Sequence, residues 1–322
     1  MEFASQLQAR FGAKYKSQES LAKHVNFRIG GPAQYFVEAV TSQDIIDAVT
    51  LAKQAGVPWF VLGGGSNTLV ADAGFAGLVI KAANRQLKID GIHVIAEAGV
   101  ISAAVARATA QAGLRGFEWA ISLPGTIGGA VRGNAGCFGG EMKDNLESVR
   151  VLRHGELKTL LAAELAFAYR DSLFKHLGND DVVLDATLRL TPGDAAEAMS
   201  ALEKNLAGRK ASQPLGSSSA GCMFKNFEYS DDNMIGKLAA LHPVPPAMLA
   251  NHRLAAGWII DVLGLKGTRI GDAMVSDTHG NFLVNKGAAT AAQIIELITL
   301  IKTRVSTETG LELHEEVQYL GF

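Results

Sequence analysis

Apolar positions along the chain switch repeatedly between the two-residue period of a strand and the 3.6-residue period of a helix. Gln34-Tyr35-Phe36-Val37-Glu38 is short, aromatic and β-prone, and reads as a strand. After Thr41-Ser42, an N-cap pair, the residues Asp44, Ile45, Ile46, Ala48, Val49 and Ala52 fall at helical spacing, with Gly56 as the stop. Trp59-Phe60-Val61-Leu62 is a continuous apolar run, as a buried strand requires, and it ends abruptly in Gly63-Gly64-Gly65-Ser66-Asn67. Thr68-Leu69-Val70 and Leu78-Val79-Ile80 are β-prone again, so this glycine run joins strand to strand. Further strands are expected at His93–Ala98, Ser148–Arg153 and Val182–Leu190, with helices around Ser102–Gln111 and ending near Gly208–Lys210. A second glycine-dense stretch, Leu123–Ala130 followed by Asn134-Ala135-Gly136, lies among them. In the last third, Thr290-Ala291-Ala292-Gln293 forms a capping box. It opens a helix with Ile294, Leu297, Ile298, Ile301 and Val305 on one face and Gly310 as its stop; a strand at His314–Leu320 closes the chain. The Pro-rich piece His242–Pro246 reads as a surface excursion.

Composition narrows the class. A chain of 322 residues is long enough for two or three compact units. With 48% hydrophobic and 19% charged residues it is not a disordered polymer. Thirty Lys+Arg against 32 Asp+Glu, net −2, argues against nucleic acid or an anionic membrane as the main partner. The longest apolar candidate, Ala98–Leu114, is interrupted by Arg107, so no bilayer span is expected. Glu2 and the absence of an apolar run behind it argue against a secretory signal. Cys137 and Cys222 are too few for a disulfide scaffold. The expectation is a soluble, cytoplasmic protein, with a composition compatible with a monomer. Glycine, at 35 residues or about 11%, is the outlier, and implies backbone that bends tightly or approaches something closely.

Candidate chemistry follows from what is missing as much as from what is present. The eight histidines show no HxxxH pairing and the cysteines lie far apart, so no metal site is expected. Neither a GxxxxGK[ST] loop nor a GxSxG elbow occurs. Gly63–Asn67 has two readings: a concavity of backbone N–H groups that suits a pyrophosphate, or a tight turn with no ligand. A dinucleotide-binding Rossmann turn would open a helix, whereas here a β-prone run follows. The second run, Pro124–Ala130 with Asn134–Gly136, reads as a further ligand contact or as a buried crossover. Two such loops together suggest one extended ligand, such as a dinucleotide cofactor.

Several motifs, taken jointly, carry a resemblance. Asn26-Phe27-Arg28-Ile29-Gly30-Gly31-Pro32, Leu62–Asn67, Pro124–Ala130, Tyr169-Arg170-Asp171-Ser172, Ser219–Asn226 and Glu316-Val317 resemble, in order and across nearly the whole chain, the UDP-N-acetylenolpyruvoylglucosamine reductase family. The resemblance implies an α+β chain: an FAD-binding domain of the vanillyl-alcohol-oxidase (PCMH) type in two subdomains, plus a smaller α+β substrate-binding domain. The implied limits are 1–82 and 83–212 for the subdomains and 213–322 for the substrate domain. It implies FAD held by Gly63, Gly64, Gly65, Ser66, Asn67, Pro124, Gly125, Thr126, Gly128, Gly129, Asn134 and Gly136. NADPH would reduce the flavin and leave, and UDP-N-acetylglucosamine enolpyruvate would then accept hydride on the same face, giving UDP-N-acetylmuramate.

Within that resemblance the implied catalytic residues are Arg170, Cys222 and Glu316, with Tyr169, Lys225 and Asn226 at the substrate. Hydride addition to the enolpyruvyl carbon generates an aci-carboxylate, whose charge a guanidinium such as Arg170 can fork onto. An ionised Glu316 would repel that charge, so its carboxyl is expected to carry or share a proton; strand alternation puts Glu315 on the opposite face, the residue implicated if the register slips by one. Cys222 stands where most family members place serine as proton donor; a thiol, with an ordinary pKa of ~8.5, is the stronger acid and mostly protonated at neutral pH. The plainer readings are a small buried Cys222, a solvent-exposed loop Lys225 and an Arg170 that is only a surface charge. Cys137 reads as a small apolar residue near the cofactor. Two other functions stay open: a different flavin oxidase on the same fold, and a flavin- or UDP-sugar-binding regulator without catalysis. Residues 228–255 are longer than the compact family pattern, with no assigned role.

Overall fold

The computed structural model describes residues 2–176, 181–213 and 216–322, which fold as two compact units. Unit 1 comprises Met1–Glu19, Pro32–Gly65 and Phe75–Ala211; unit 2 comprises Ser20–Gly31, Ser66–Gly74 and Ser212–Phe322.

In unit 1 the strand Phe75–Ala82 runs parallel to both Pro32–Ala39 and Trp59–Leu62, with Val79 opposite Phe36 on one side and Phe60 on the other. Buried parallel strands need apolar runs without alternation, and Leu78-Val79-Ile80 supplies one, each residue fully buried. Helices α1 (Phe3–Phe11) and α2 (Ser42–Ala55) share a core with this sheet through Leu7, Ile45, Ala48, Val49 and Ile80. The α2 limits match the sequence signals: Thr41 Oγ1 accepts from the Asp44 N–H at 3.0 Å, and Gly56 stops the helix in the left-handed region at φ +63. A second sheet is antiparallel throughout, in the order Glu156–Leu161, Leu146–Arg153, Asp181–Arg189, His93–Glu97, Leu87–Asp90. Helices α3 (Ser102–Gln111), α4 (Ile127–Gly133) and α5 (Ala195–Ser212) contribute to its core through Val105, Ile127, Val131 and Leu202.

Unit 2 is assembled from three stretches of chain. Thr68–Val70 pairs in parallel with Gln318–Leu320, Leu69 opposite Tyr319. Phe27, Leu69 and Phe224, all at most 1% exposed, share one core with the apolar face of the last helix. Residues 228–255 are built into this core rather than laid on it. Phe227–Glu228 pairs antiparallel with Arg253–Leu254, and α6 (Gly236–Leu241) and α7 (Pro246–Ala250) lie between them, with Tyr229, Ile235 and Leu238 buried. The Pro-rich stretch therefore links two short helices, and Pro246 opens α7 at its first turn, where a missing N–H costs nothing. Next come α8 (Ala256–Val262), a three-stranded antiparallel sheet ending at Leu283–Asn285, and α9 (Ala291–Thr309), which buries Ile294, Leu297, Ile298, Ile301 and Val305 as its spacing predicts. The closing strand is shorter than expected: only Gln318–Leu320 is continuous, and Glu315 instead makes an isolated bridge to Phe224. Among the described residues, no helix is long and apolar enough to cross a membrane.

One capping contact explains why residues 66–74 belong to unit 2. The Asp72 carboxylate accepts from the Ala291 and Ala292 N–H groups at 2.8 and 3.0 Å, satisfying the first free donors of α9. An anion there also complements the positive helix end. Asp72→Ala should destabilise the protein by about 1–2 kcal/mol, read from the midpoint of chemical denaturation. An unchanged midpoint would mean the contact contributes nothing.

Candidate active site

The two glycine runs meet in unit 1. A Cβ placed on Gly64 would lie 2.7 Å from the Gly125 Cα, and one on Gly63 would lie 2.6 Å from the Thr126 hydroxyl. No side chain fits between these backbones, which is why glycine is required at 63 and 64. Gly125 sits at φ +131, a conformation open to glycine alone. Its carbonyl accepts from the Ser102 N–H at 3.1 Å, while the N–H groups of Ile127 and Gly128 donate to Val100 and Ala98. The hydroxyls of Ser102 and Thr126 are buried beside this crossing and have no protein partner. A buried hydroxyl without a partner is costly, so this crossing is a polar cradle fit for a ligand. A Cβ on Gly128 would strike Ala98, and one on Gly136 would strike Gly140 and Glu141, so glycine at these positions permits close packing within the protein. Gly129 faces the Thr126 hydroxyl, 3.8 Å from where its Cβ would be.

Lys81 was not expected at the site. It lies near the end of the strand Phe75–Ala82, opposite Leu62, and its ammonium donates to the Gly63 carbonyl. Burial, and after it the charge of Arg85, pushes its pKa from 10.5 down to about 8, with Glu38 pulling the other way. Neither Lys81 nor Ser102 belongs to a motif, so only the fold brings them to the loop.

Tyr169 and Arg170 form the corner of a tight turn. The Ala168 N–H donates to the Asp171 carbonyl at 3.2 Å and the Asp171 N–H to the Ala168 carbonyl at 3.1 Å. Arg170 takes φ +55, uncommon for a residue with a side chain, and its guanidinium lies 5.7 Å from the Tyr169 ring centroid. Neighbours hold the turn: Ser172 Oγ donates to the Arg132 carbonyl at 2.6 Å, and Lys175 Nζ to the Arg170 carbonyl. Burial alone would raise the Asp171 carboxyl, but hydrogen bonds from His176 and the Ser172 N–H hold it below its ordinary value. Cys137 is half-buried, with its thiol on the Trp119 carbonyl at 3.3 Å. Burial pushes that thiol up to about 11 against the pull of Arg170 and Arg209, so it stays protonated at neutral pH.

In unit 2, residues 222–225 are zipped between two other stretches. The Met223 N–H donates to the Asn281 carbonyl and the Phe224 N–H to Asn281 Oδ1, both at 2.8 Å. On the other side, the Glu316 N–H donates to the Met223 carbonyl and the Lys225 N–H to the His314 carbonyl, again at 2.8 Å. Cys222 and Glu316 therefore sit on neighbouring segments, both half-buried. Glu315 is engaged elsewhere, with Lys302 at 2.9 Å. Asn67 belongs to the same arrangement: its amide donates to the Glu316 carbonyl at 3.1 Å and its own carbonyl accepts from the Gln318 N–H at 2.9 Å. Asn226 Oδ1 accepts from the Ala256 N–H at 3.2 Å, near the start of α8. Gly65 falls in unit 1 and Ser66 in unit 2.

Comparison with known proteins gives this arrangement a class. Residues 33–160 match a model of an FAD binding domain, and residues 213–320 match the C-terminal domain of UDP-N-acetylenolpyruvoylglucosamine reductase. The UDP-N-acetylenolpyruvoylglucosamine reductase of Alkaliphilus metalliredigens is 36% identical over 307 residues, covering 94% of this chain and 92% of its own. That of Synechococcus sp. strain CC9311 is 39% identical over 312 residues, with the same coverage. The crystal structure of the Thermus caldophilus reductase superposes with a TM-score of 0.74 at 33% identity, covering 95% of this chain and 98% of that one. The fold and cradle define a flavin-dependent oxidoreductase with an FAD domain of the PCMH type and a separate α+β domain. The chain belongs to the UDP-N-acetylenolpyruvoylglucosamine reductase family. FAD fits the residues present, because the crossing leaves two buried hydroxyls without partners at loops that exclude side chains.

Two outcomes test the cradle. Gly64→Ala should weaken FAD binding roughly tenfold or more, since the added methyl forces Gly125 away; flavin retained by the purified variant at wild-type affinity would remove the loop contact from the site. Lys81 has a lower pKa folded than unfolded, so it opposes folding fully below pH ~8, and stability rises as pH climbs toward ~10.4. Wild-type stability should therefore gain on that of Lys81→Met across this window, and parallel curves would contradict the assignment.

Proposed function

We propose that the protein reduces UDP-N-acetylglucosamine enolpyruvate to UDP-N-acetylmuramate, with FAD as carrier and NADPH as electron source, in the synthesis of peptidoglycan precursors. Bound FAD supplies two-electron storage, which lets hydride pass from NADPH to the enolpyruvyl carbon in two separate visits to one site. Gly63, Gly64 and Gly65 with Pro124, Gly125, Thr126 and Gly129 bring backbone close to it. Arg170 opposes the charge that develops on the substrate carboxylate when hydride arrives. Cys222 then delivers a proton from its thiol to the adjacent carbon, and Glu316 holds the intermediate by a shared proton. Tyr169, Lys225 and Asn226 orient the nucleotide sugar. Residues 1–82, apart from 20–31 and 66–74, and residues 83–212 act as the flavin-binding subdomains; 213–322, with those two stretches, acts as the substrate domain. The enzyme works in the cytoplasm, without a nucleic-acid or membrane partner.

One observation carries this reading. The Glu316–Met223 hydrogen bond at 2.8 Å sets the segment of the proposed second acid directly beside that of the proposed proton donor. Two acidic side chains on adjacent segments are what protonation of a carboxylate-stabilised carbanion calls for.

The test is an anaerobic titration that follows the visible flavin band. NADPH should bleach it, and UDP-N-acetylglucosamine enolpyruvate should restore it without oxygen. Cys222→Ala should slow the restoring step by about 10²-fold while slowing the bleaching step far less. Equal loss in both steps would refute Cys222 as the donor, and bleaching without restoration by wild-type protein would refute the substrate.

A further inference from the structure

The helix α4 has both its ends in the site, and its C-terminal end carries a residue whose bonds the mechanism leaves unexplained. Its N-cap, Thr126, packs on Gly63. Eight residues later the helix is stopped by Asn134, in the left-handed region at φ 40 and ψ 54. Asn134 is 1% exposed, and both amide protons are engaged within unit 1. Nδ2 donates to Glu141 Oε2 at 2.7 Å and to the Ala168 carbonyl at 3.0 Å, while Oδ1 accepts from the Lys143 N–H at 3.0 Å. The Ala168 carbonyl is the one that closes the Tyr169–Arg170 turn. Arg170 stands at φ +55, a conformation that costs a side-chain-bearing residue of order 1 kcal/mol or more and persists only where neighbours over-determine it.

We infer that Asn134 is a positioning residue for substrate reduction: its amide clamps the Arg170 turn to the end of α4, and α4 fixes that turn at a set distance from the flavin loops. The inference rests on the proposed role of Arg170. The helix spans roughly 10 Å, a length that thermal motion changes little because its carbonyls are bonded within it. Asparagine suits the position twice over. It tolerates the left-handed region, and it offers two donors and an acceptor from one short, stiff side chain. The clamp holds the Ala168 carbonyl and not the guanidinium of Arg170.

Asn134→Gly separates the two properties, because glycine keeps the backbone conformation and removes the amide. The measurement is anaerobic stopped-flow of both half-reactions in FAD-loaded wild type, Asn134→Gly, Arg170→Ala and the double variant. Asn134→Gly should slow flavin reoxidation by UDP-N-acetylglucosamine enolpyruvate by about 10²-fold, and flavin reduction by NADPH at least tenfold less. Added to Arg170→Ala, it should slow reoxidation no further, because its effect runs through Arg170. Multiplying effects, equal slowing of both half-reactions, or wild-type reoxidation in Asn134→Gly would each overturn the inference. If Arg170→Ala leaves reoxidation intact, the Arg170 role falls and the inference with it; if only Asn134→Gly is harmless, the inference falls alone. Should Asn134→Gly fail to fold, Asn134→Asp with Glu141→Gln restores one of the two donated bonds but not the Ala168 clamp. That pair should fold, hold FAD and remain slow in reoxidation, and full speed would overturn the clamp.

Discussion

The backbones of Gly64 and Gly125 run closer together than any side chain permits, and the organisation of unit 1 follows from that approach. Two loops that touch through bare backbone cannot slide past each other without losing contact. What is attached to either loop inherits its position: Lys81 reaches the Gly63 carbonyl from the strand below, Ser102 binds the Gly125 carbonyl, and α4 starts at Thr126. Buried hydroxyls are tolerable here only if something else completes their hydrogen bonds. The strain of a missing partner and the strain at Arg170 lie at opposite ends of one short helix. Both are paid for by the surrounding core, in which Ile127 and Val131 are fully buried.

The two cysteines stand in different surroundings. Cys137 bonds to a backbone carbonyl and is kept protonated by burial, so it behaves as a small apolar residue. Cys222 sits at half-burial on a segment hydrogen-bonded on both sides, next to the segment of Glu316. Both thiols are half-buried, and what separates their settings is the partner: a carbonyl for Cys137, and for Cys222 a segment next to that of Glu316.

Much of this was legible in the chain itself. The limits of α2 and α9 followed from Thr41, Gly56, Thr290 and Gly310, because capping is local and each residue acts on groups three or four positions away. The strand ending at Leu62 and the loop after it were readable from an apolar run meeting three glycines. Residues acting over long distances were not. Lys81 resembles any strand lysine until burial is known, and Asp72 caps a helix 219 residues further on. Asn134 illustrates the middle case: its place in a motif marked it, but only the fold reveals that its amide faces Glu141 and Ala168. The stretch 228–255 lacked a strong period because α6 and α7 are each little more than one turn, too short for periodicity to show.

Unit 2 carries a consequence for the order in which the protein is made. Asn67 bonds to Glu316 across a separation of 249 residues, and Thr68–Val70 finds its strand partner only in Gln318–Leu320. On the ribosome, at about 5–20 residues per second, those early residues wait on the order of ten seconds or more for their partners to emerge. Phe27, Ile29 and Leu69, buried in the finished core, stay uncovered for that time. Unit 2 can therefore close only once Gln318–Leu320 has emerged, so its core is covered late however early Phe27, Ile29 and Leu69 are made.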